Sequence, residues 1–497
     1  MSRKCVIIGS GLGGLSCGVM LARNGYDVTV LEQHYQPGGC LQCFTRKGAK
    51  FETGMHFIGS AAPGQTLDKL MRYLRLDDIL LSRLDPMAYD IVSINGDTFR
   101  FANDREPFIE TMAGYFPSER ENLTRYYDTV EKISQASSLH SLRYAESDIA
   151  VSTHYQTVSI NAVLDELFHD ELLKKVLVGN LPLYAAEKDR TPFSQHAFIM
   201  DFYNRSAFRV AGGSDSIARS LIGAIESSGG SVRTRSRVTR ILCDDSKATG
   251  VEVNGEEFIE ADIVIADIHP ARVMELLDTR LIRPAFRRRI SGIRNTVGGF
   301  SVYLKFKENA VPYLNSNYYS FNRNTPWDCE KYSDTDWPRG YLYMHMCDSP
   351  APRFASSGVI LSYMNMADVA RWQGTSIGHR GEDYERFKVE KAERLLDEVE
   401  REFPGLRGGI DSYYTATPLT YLDYTGTQDG SMYGVAKDIT LGAACRVPHK
   451  TRVPNLLLTG QNINSHGMLG VLVGSIVTCS ELLSAEKIYR QIVEANS

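Results

Sequence analysis

Glycines occupy positions 9, 11, 13 and 14, between the apolar run 5–8 and a segment from Leu12 to Arg23 whose Leu15, Val19 and Leu21 have helix-like content. Bare backbone at that junction suits one task. Gly9 permits a tight turn, Gly11 lets the main chain approach phosphate oxygens, and Gly14 lets helix and strand pack closely. The helix N-terminus adds free N–H groups and a positive dipole end. A second β-branched apolar run, 27–31, closes with Glu32, whose carboxylate can accept hydrogen bonds from the ribose hydroxyls of an adenosine. Strand, glycine loop, helix, second strand and acid together predict a bound dinucleotide held at Gly9, Gly11, Leu12, Gly13, Gly14, Glu32 and Gln33. The acid disfavours a 2′-phosphate and leaves NAD and FAD open.

Other residue types could also do chemistry. His56 and His466 could donate a proton, since an imidazole titrates near ~6.5 and is tuned by its surroundings. A hydrogen-bonded structural histidine is the competing reading for each. Tyr421, Tyr424 and Tyr433 crowd one segment, and Tyr433 is a candidate proton donor or tunnel wall; packing with a hydroxyl partner is the plainer alternative. Cys40 and Cys43 have the spacing of a dithiol or of half a zinc site, but no second CxxC completes a metal centre, so no metal is expected and simple packing competes with redox chemistry.

The elements that must position these residues follow from the pattern. Helical periodicity prevails from about 113 to 203, as in Leu164, Leu167, Phe168 and Leu172, and predicts a helical cap. A helix is expected over 215–227 with Ser214 as N-cap, then strands at 231–234, 238–242, 250–253 and 263–267. Gly212 and Gly213 are read as no second nucleotide loop, because no strand is expected immediately before them. Alternation at Phe300, Val302, Leu304 and Phe306 predicts a half-buried strand, joined by 359–363 and 412–417 in an antiparallel sheet, with an amphipathic helix over 388–403. Near the C-terminus, NLLLTGQNINSHGMLGVLVG reads as strand, polar loop and glycine-interrupted helix.

EQHYQPGGC, FETGMHFIG, AGGSDSIA, TPLTYLDYTGTQDGSMYG and LLLTGQNINSHGMLG together resemble the FAD-dependent phytoene desaturase, carotenoid isomerase and retinol saturase superfamily, and the retinol saturase branch most. The resemblance covers both ends and the middle of the chain. It implies FAD as the cofactor, with Gly38 and Gly39 continuing along it, the backbone of Val238 against the adenine, and Gly460, Gln461, Met468 and Leu469 near the ribityl chain and ring. Gln461 departs from the commoner pattern, which has an acid after the glycine. The implied fold is α/β: a Rossmann-type, glutathione-reductase-like FAD domain formed by residues 1–65, 206–291 and 443–497, interleaved with an α+β substrate domain formed by residues 66–205, which include the helical cap, and a mixed or antiparallel sheet in 292–442. The implied chemistry is at a carbon–carbon double bond of an apolar polyene or isoprenoid. In saturation, hydride from flavin N5 reaches one carbon and an acid protonates the other; desaturation and isomerisation use the same site. With one Rossmann unit, a reductase would draw electrons from a transient NAD(P)H visit or from another carrier.

The net charge of −5 is spread without single-sign blocks, which argues against nucleic-acid binding. Nine scattered cysteines fit a reduced, cytoplasmic setting, and no signal peptide is expected at the N-terminus. Arg280, Arg283, Arg287, Arg288, Arg289 and Arg294, interleaved with Leu281, Phe286 and Ile290, could settle on the inner face of an anionic membrane; a solvated helix face is the alternative. Two rivals share the nucleotide loop: an amine oxidase, which needs a polar entry, and a non-catalytic lipid-binding escort of the GDP-dissociation-inhibitor type.

Overall fold

The structure, a computed structural model, describes residues 2–137, 140, 142 and 149–497. Its first sheet is parallel, with strands in the order Ser231–Arg233, Asp27–Leu31, Lys4–Ile8, Ile263–Ala266 and Leu456–Leu458. Both faces are covered, which is why residues 5–8, Ile263–Ala266 and Leu456–Leu458 are apolar and buried instead of alternating. Ile7, Ile265 and Leu457 pack against helices Leu12–Ala22, Asp215–Ser227 and Gly467–Leu483. Val6, Ile8 and Val264 face the other way, onto the three-stranded antiparallel sheet Val238–Cys243, Ala248–Val253 and Glu257–Glu260 and the helix Pro270–Leu276.

A second, seven-stranded sheet runs in the order Ile410–Ala416, Gly298–Phe306, Ser357–Met364, Gly340–His345, Asn317–Phe321, Asp90–Ile94 and Asp97–Phe101. It is mixed, because Asn317–Phe321 pairs parallel with Asp90–Ile94 while the remaining pairs are antiparallel. Gly298–Phe306 is buried on both faces and not half-buried. Phe300, Val302 and Leu304 meet the long helix Glu382–Glu402, while Tyr303 joins the core on the cap side. Over the latter face lie the cap helices, among them Arg105–Tyr115, Arg120–Ala136, Ile160–Leu167 and Phe193–Arg205. Part of the expected cap, residues 138, 139, 141 and 143–148, lies outside the described residues.

Two local expectations are corrected. Ser214 makes no side-chain cap: its hydroxyl donates to Leu41 O at 3.1 Å and its N–H to Glu52 Oε1 at 3.0 Å, so the residue ties helix Asp215–Ser227 to the segment after the first glycine loop. A strand, Ala207–Val210, does precede Gly212. It is antiparallel to both Ile58–Gly59 and Leu81–Arg83, so no nucleotide-binding βαβ unit results.

Candidate active site

A cavity of about 680 Å³ runs from the C-terminal ends of the parallel strands toward the seven-stranded sheet. That is where open α/β sheets bind ligands. Its first part is built of backbone. Helical hydrogen bonding starts with the N–H of Leu15 on the carbonyl of Gly11, so the N–H groups of Leu12 and Gly13 open onto the cavity without helical partners. A Cβ on Gly9 would sit 2.6 Å from the carbonyl oxygen of Asp267, and Gly9 holds φ +95°. One on Gly13 would lie 2.9 Å from the backbone of Gly460, and one on Gly39 3.1 Å from Cα of Gly11. Gly14 leaves room for the carbonyl of Gly9. The Glu32 carboxylate accepts from the N–H and hydroxyl of Ser10 at 3.1 and 2.5 Å and from the N–H of His34 at 2.9 Å, which orients it at the end of its strand.

Gly9, Gly11, Leu12, Gly13, Glu32, Gln33, Gly38, Gly39, Val238, Gln461 and Met468 all line this cavity, as do His56, Tyr433 and His466. Gly14 and Gly460 pack behind it, and Leu469 joins the core beside Leu472 and Ile476 instead of the wall. Arg237 and Arg272 add positive charge along the wall. A bare cradle, free helix N–H groups and an acid after the second strand suit a flavin adenine dinucleotide: the glycine loop would hold its diphosphate and Glu32 its ribose.

The far part of the cavity is built of side chains. Leu342 and Leu361 stand opposite one another on adjacent strands, with Met344 two residues along, and Leu183 and Tyr203 come from the cap. Met432 fills the space left by Gly299, where a Cβ would lie 2.6 Å from its sulfur. The helix Pro418–Thr425 adds Tyr421. Its ends are set by sequence: Thr417 and Thr420 form a capping box, Pro418 takes the first turn, and Gly426 closes it in the left-handed region. Across the mouth, His34 stacks on Tyr424 at 5.3 Å, and its Nε2 lies 2.9 Å from that residue's carbonyl.

The three proton-donor candidates differ in environment. His56 lies with Nδ1 3.8 Å from Glu52 Oε2, and that nitrogen has no hydrogen-bond partner among the described residues. The buried Arg209 donates to the carbonyl of His56 at 3.3 Å and steadies that segment. His466 is pushed down to about 4, by burial first and then by the charge of Lys437, so it is neutral at pH 7; its Nε2 has no hydrogen-bond partner among the described residues. Tyr433 donates to the carbonyl of Pro182 at 2.8 Å and its ring lies 4.6 Å from that of His466, while burial raises its phenol. All nine cysteines are free thiols. Cys40 lines the cavity, and burial pushes it up to about 11. Cys43 faces Ser214 Oγ at 3.5 Å.

The arginine cluster is partly engaged in structure. Arg287 donates to the carbonyl of Met274, Arg289 to those of Ala444 and Arg446, and Arg294 pairs with Glu187 and Asp438. No single helix among the described residues is long and apolar enough to cross a membrane; Gly467–Leu483 and Ala485–Glu494 reach that length and composition only as a pair bent by 119°.

A model of the flavin containing amine oxidoreductase family matches residues 12–474. The chain belongs to that family. All-trans-retinol 13,14-reductase of Rattus norvegicus is 28% identical over 98% of this chain and 86% of its own length. Prolycopene isomerase 1 of an Oncidium hybrid cultivar is 22% identical over 97% of this chain and 84% of its own. Among solved structures, an oxidoreductase from Methanosarcina mazei superposes with a TM-score of 0.65 at 17% identity, covering 96% of this chain and 100% of that one, which shows the shared fold. Family membership makes the protein an FAD-dependent oxidoreductase.

Sequence reading missed Asp267, Leu342, Met344, Leu361 and Met432 as site residues. Asp267 carried a usable signal, a polar residue closing the apolar strand Ile263–Ala266 at the ligand-binding edge of a parallel sheet. Leu342, Met344 and Leu361 carried none, because a strand buried on both faces reads the same at every position, and Met432 lies in an irregular segment without periodicity.

Proposed function

We propose that this enzyme reduces a carbon–carbon double bond in an apolar polyene or isoprenoid, as the relative named all-trans-retinol 13,14-reductase does on its own substrate. The observation that carries the reading is the wall beyond the cradle: Leu183, Tyr203, Leu342, Met344 and Leu361, contributed by sheet and cap without a charged group among them. A neutral polyene gains by burial against such a wall, whereas an alkylammonium would lose its hydration there. Bound FAD supplies hydride transfer. The protein's part is to hold the substrate against that apolar wall, exclude water, and deliver a proton to the second carbon. His56 is the proposed donor, since it lines the cavity with an uncommitted Nδ1 3.8 Å from Glu52 Oε2; neutral His466 and Tyr433 serve as wall.

The test is anaerobic: reduce the flavin with dithionite or NADPH, add retinoids, carotenoids or other isoprenoids, and follow reoxidation together with the products. Reoxidation by a polyene with formation of a dihydro product is expected. The replacement His56→Gln should slow that step by roughly 10²–10⁴-fold with the flavin spectrum retained. Unchanged rates in His56→Gln would remove the donor assignment, and the absence of reoxidation by any polyene would remove the substrate class. A second reading, isomerisation, draws on the likeness to prolycopene isomerase and would give a geometric isomer with no net flavin oxidation.

A further inference from the structure

We propose that Asp267 serves as a neutral carboxylic acid inside the diphosphate cradle, so that binding the flavin nucleotide takes up one proton. The proposal rests on reading the cradle as the FAD site. Asp267 follows the buried strand Ile263–Ala266 and turns its carboxyl group under the glycine loop. Its Oδ2 accepts the N–H of Gly14 at 2.7 Å. A Cβ on Gly11 would lie 2.6 Å from Oδ2 and one on Gly13 2.7 Å from Oδ1; one on Gly460 would collide with Oδ1 outright. Three of the bare glycines therefore make room for this carboxyl group as well as for a ligand. It also lines the cavity beside Leu12 and Gly13, whose open N–H groups are where a phosphate would bind.

The surroundings do not favour a carboxylate. Glu32 faces it from the end of strand Asp27–Leu31, and Cys40 from the turn Gly39–Leu41. On its own segment, His269 is committed: Nδ1 accepts from the N–H of Ala271 and Nε2 lies 2.9 Å from Asn295 Oδ1. On the helix Pro270–Leu276, Arg272 pairs with Glu275, and Arg237 lies on the wall before strand Val238–Cys243. Among the described residues, no cation forms an ion pair with Asp267. Burial first, and then Glu32, raise its carboxyl group to about 7, against the single opposing N–H of Gly14. A diphosphate placed alongside acts in the same direction, since like charges disfavour ionisation. The ionised form would repel the ligand, whereas the acid can donate its O–H to a phosphate oxygen.

The sign follows by linkage. Below about 7 the free protein already carries the proton, and affinity is flat. Above that value each pH unit weakens binding by up to about tenfold, until the bound-state value is reached. The flavin is stripped, FAD is titrated back by fluorescence from about pH 6 to 9, and proton uptake is measured near pH 8 by calorimetry in two buffers of different ionisation heat. The expected result is that slope, with about one proton taken up, and the variant Asp267→Asn should bind with pH-independent affinity. A flat wild-type profile without proton uptake, or an Asp267→Asn profile with the wild-type slope, would overturn the proposal. If Asp267→Asn does not fold, wild-type proton uptake decides. Failure to bind FAD at every pH would overturn the cofactor site too, and is distinguishable from a flat profile.

Discussion

At one end of the cavity recognition is done by backbone; at the other it is done by side chains. In the cradle, glycines at 9, 11, 13 and 14 exclude side chains so that N–H groups and a helix N-terminus can meet charge. In the far wall, leucine, methionine and tyrosine side chains from separated segments leave a surface with no orientation of its own. The two ends tolerate change differently. A backbone site fails when any atom is added, because the atoms that would have to move belong to the main chain. A side-chain wall can lose atoms and still bind a ligand, with altered fit.

The largest expected effect tests that asymmetry at the cradle. The replacement Gly9→Ala brings a Cβ 2.6 Å from a carbonyl oxygen at φ +95°. Left-handed strain of about 1–2 kcal/mol and overpacking of about 1–3 kcal/mol combine there. We expect the protein to purify colourless, with FAD affinity down at least tenfold to a hundredfold by fluorescence titration. A yellow variant would mean that the loop relaxes more easily than backbone contacts allow.

The matching change in the wall, Leu342→Ala, should lower stability by about 2–5 kcal/mol in denaturant titrations while the flavin stays bound. Substrate KM should change more than kcat. Loss of flavin from this variant would mean that the two ends are not separable.

Protonation sharpens the contrast. In the cap, His196 lies between the hydroxyl groups of Tyr126 and Tyr184, each at 2.7 Å, and burial pushes it down to about 3. The folded state therefore binds fewer protons than the unfolded one. Stability present above about 6.5 falls by up to about 1.4 kcal/mol per pH unit as pH drops toward 3. Asp267 in the empty cradle has the opposite sign, its folded-state value being raised to about 7. Its contribution is fully present below about 3.8 and is lost as pH rises to about 7. Equilibrium unfolding against pH should show a shallower acid limb in His196→Gln and a flatter limb between about 4 and 7 in flavin-free Asp267→Asn.

The smallest effect is expected for Tyr433→Phe. It removes one hydrogen bond to the carbonyl of Pro182 and keeps the ring against His466, so it should cost about 1 kcal/mol and change flavin reoxidation by less than about tenfold. A loss of several hundredfold would instead make Tyr433 the proton donor.

The glycine cradle and Glu32 were legible because a turn, a helix start and a strand end lie within one continuous stretch, and each constrains residue type locally. The segment that forms helix Pro418–Thr425 was flagged only through the family resemblance and its crowded tyrosines, and nothing in it tells which cavity Tyr421 faces. The double burial of Gly298–Phe306 was not legible: its alternation describes one face only, and the helix Glu382–Glu402 that covers the other comes some eighty residues later. Likewise His56 and Glu52 were readable as residue types, but the 3.8 Å between them depends on how the chain turns after strand Ala49–Glu52.

The sequence by itself determined a layered α/β construction with a glycine loop suited to a dinucleotide, since backbone approach and strand burial write themselves into neighbouring positions; flavin entered only with the family resemblance. Only the tertiary structure decided which leucines face the cavity and that Asp267 lies beneath the loop that ends 253 residues earlier at Gly14. Those outcomes depend on packing between distant segments, and side-chain packing leaves no spacing rule along the chain.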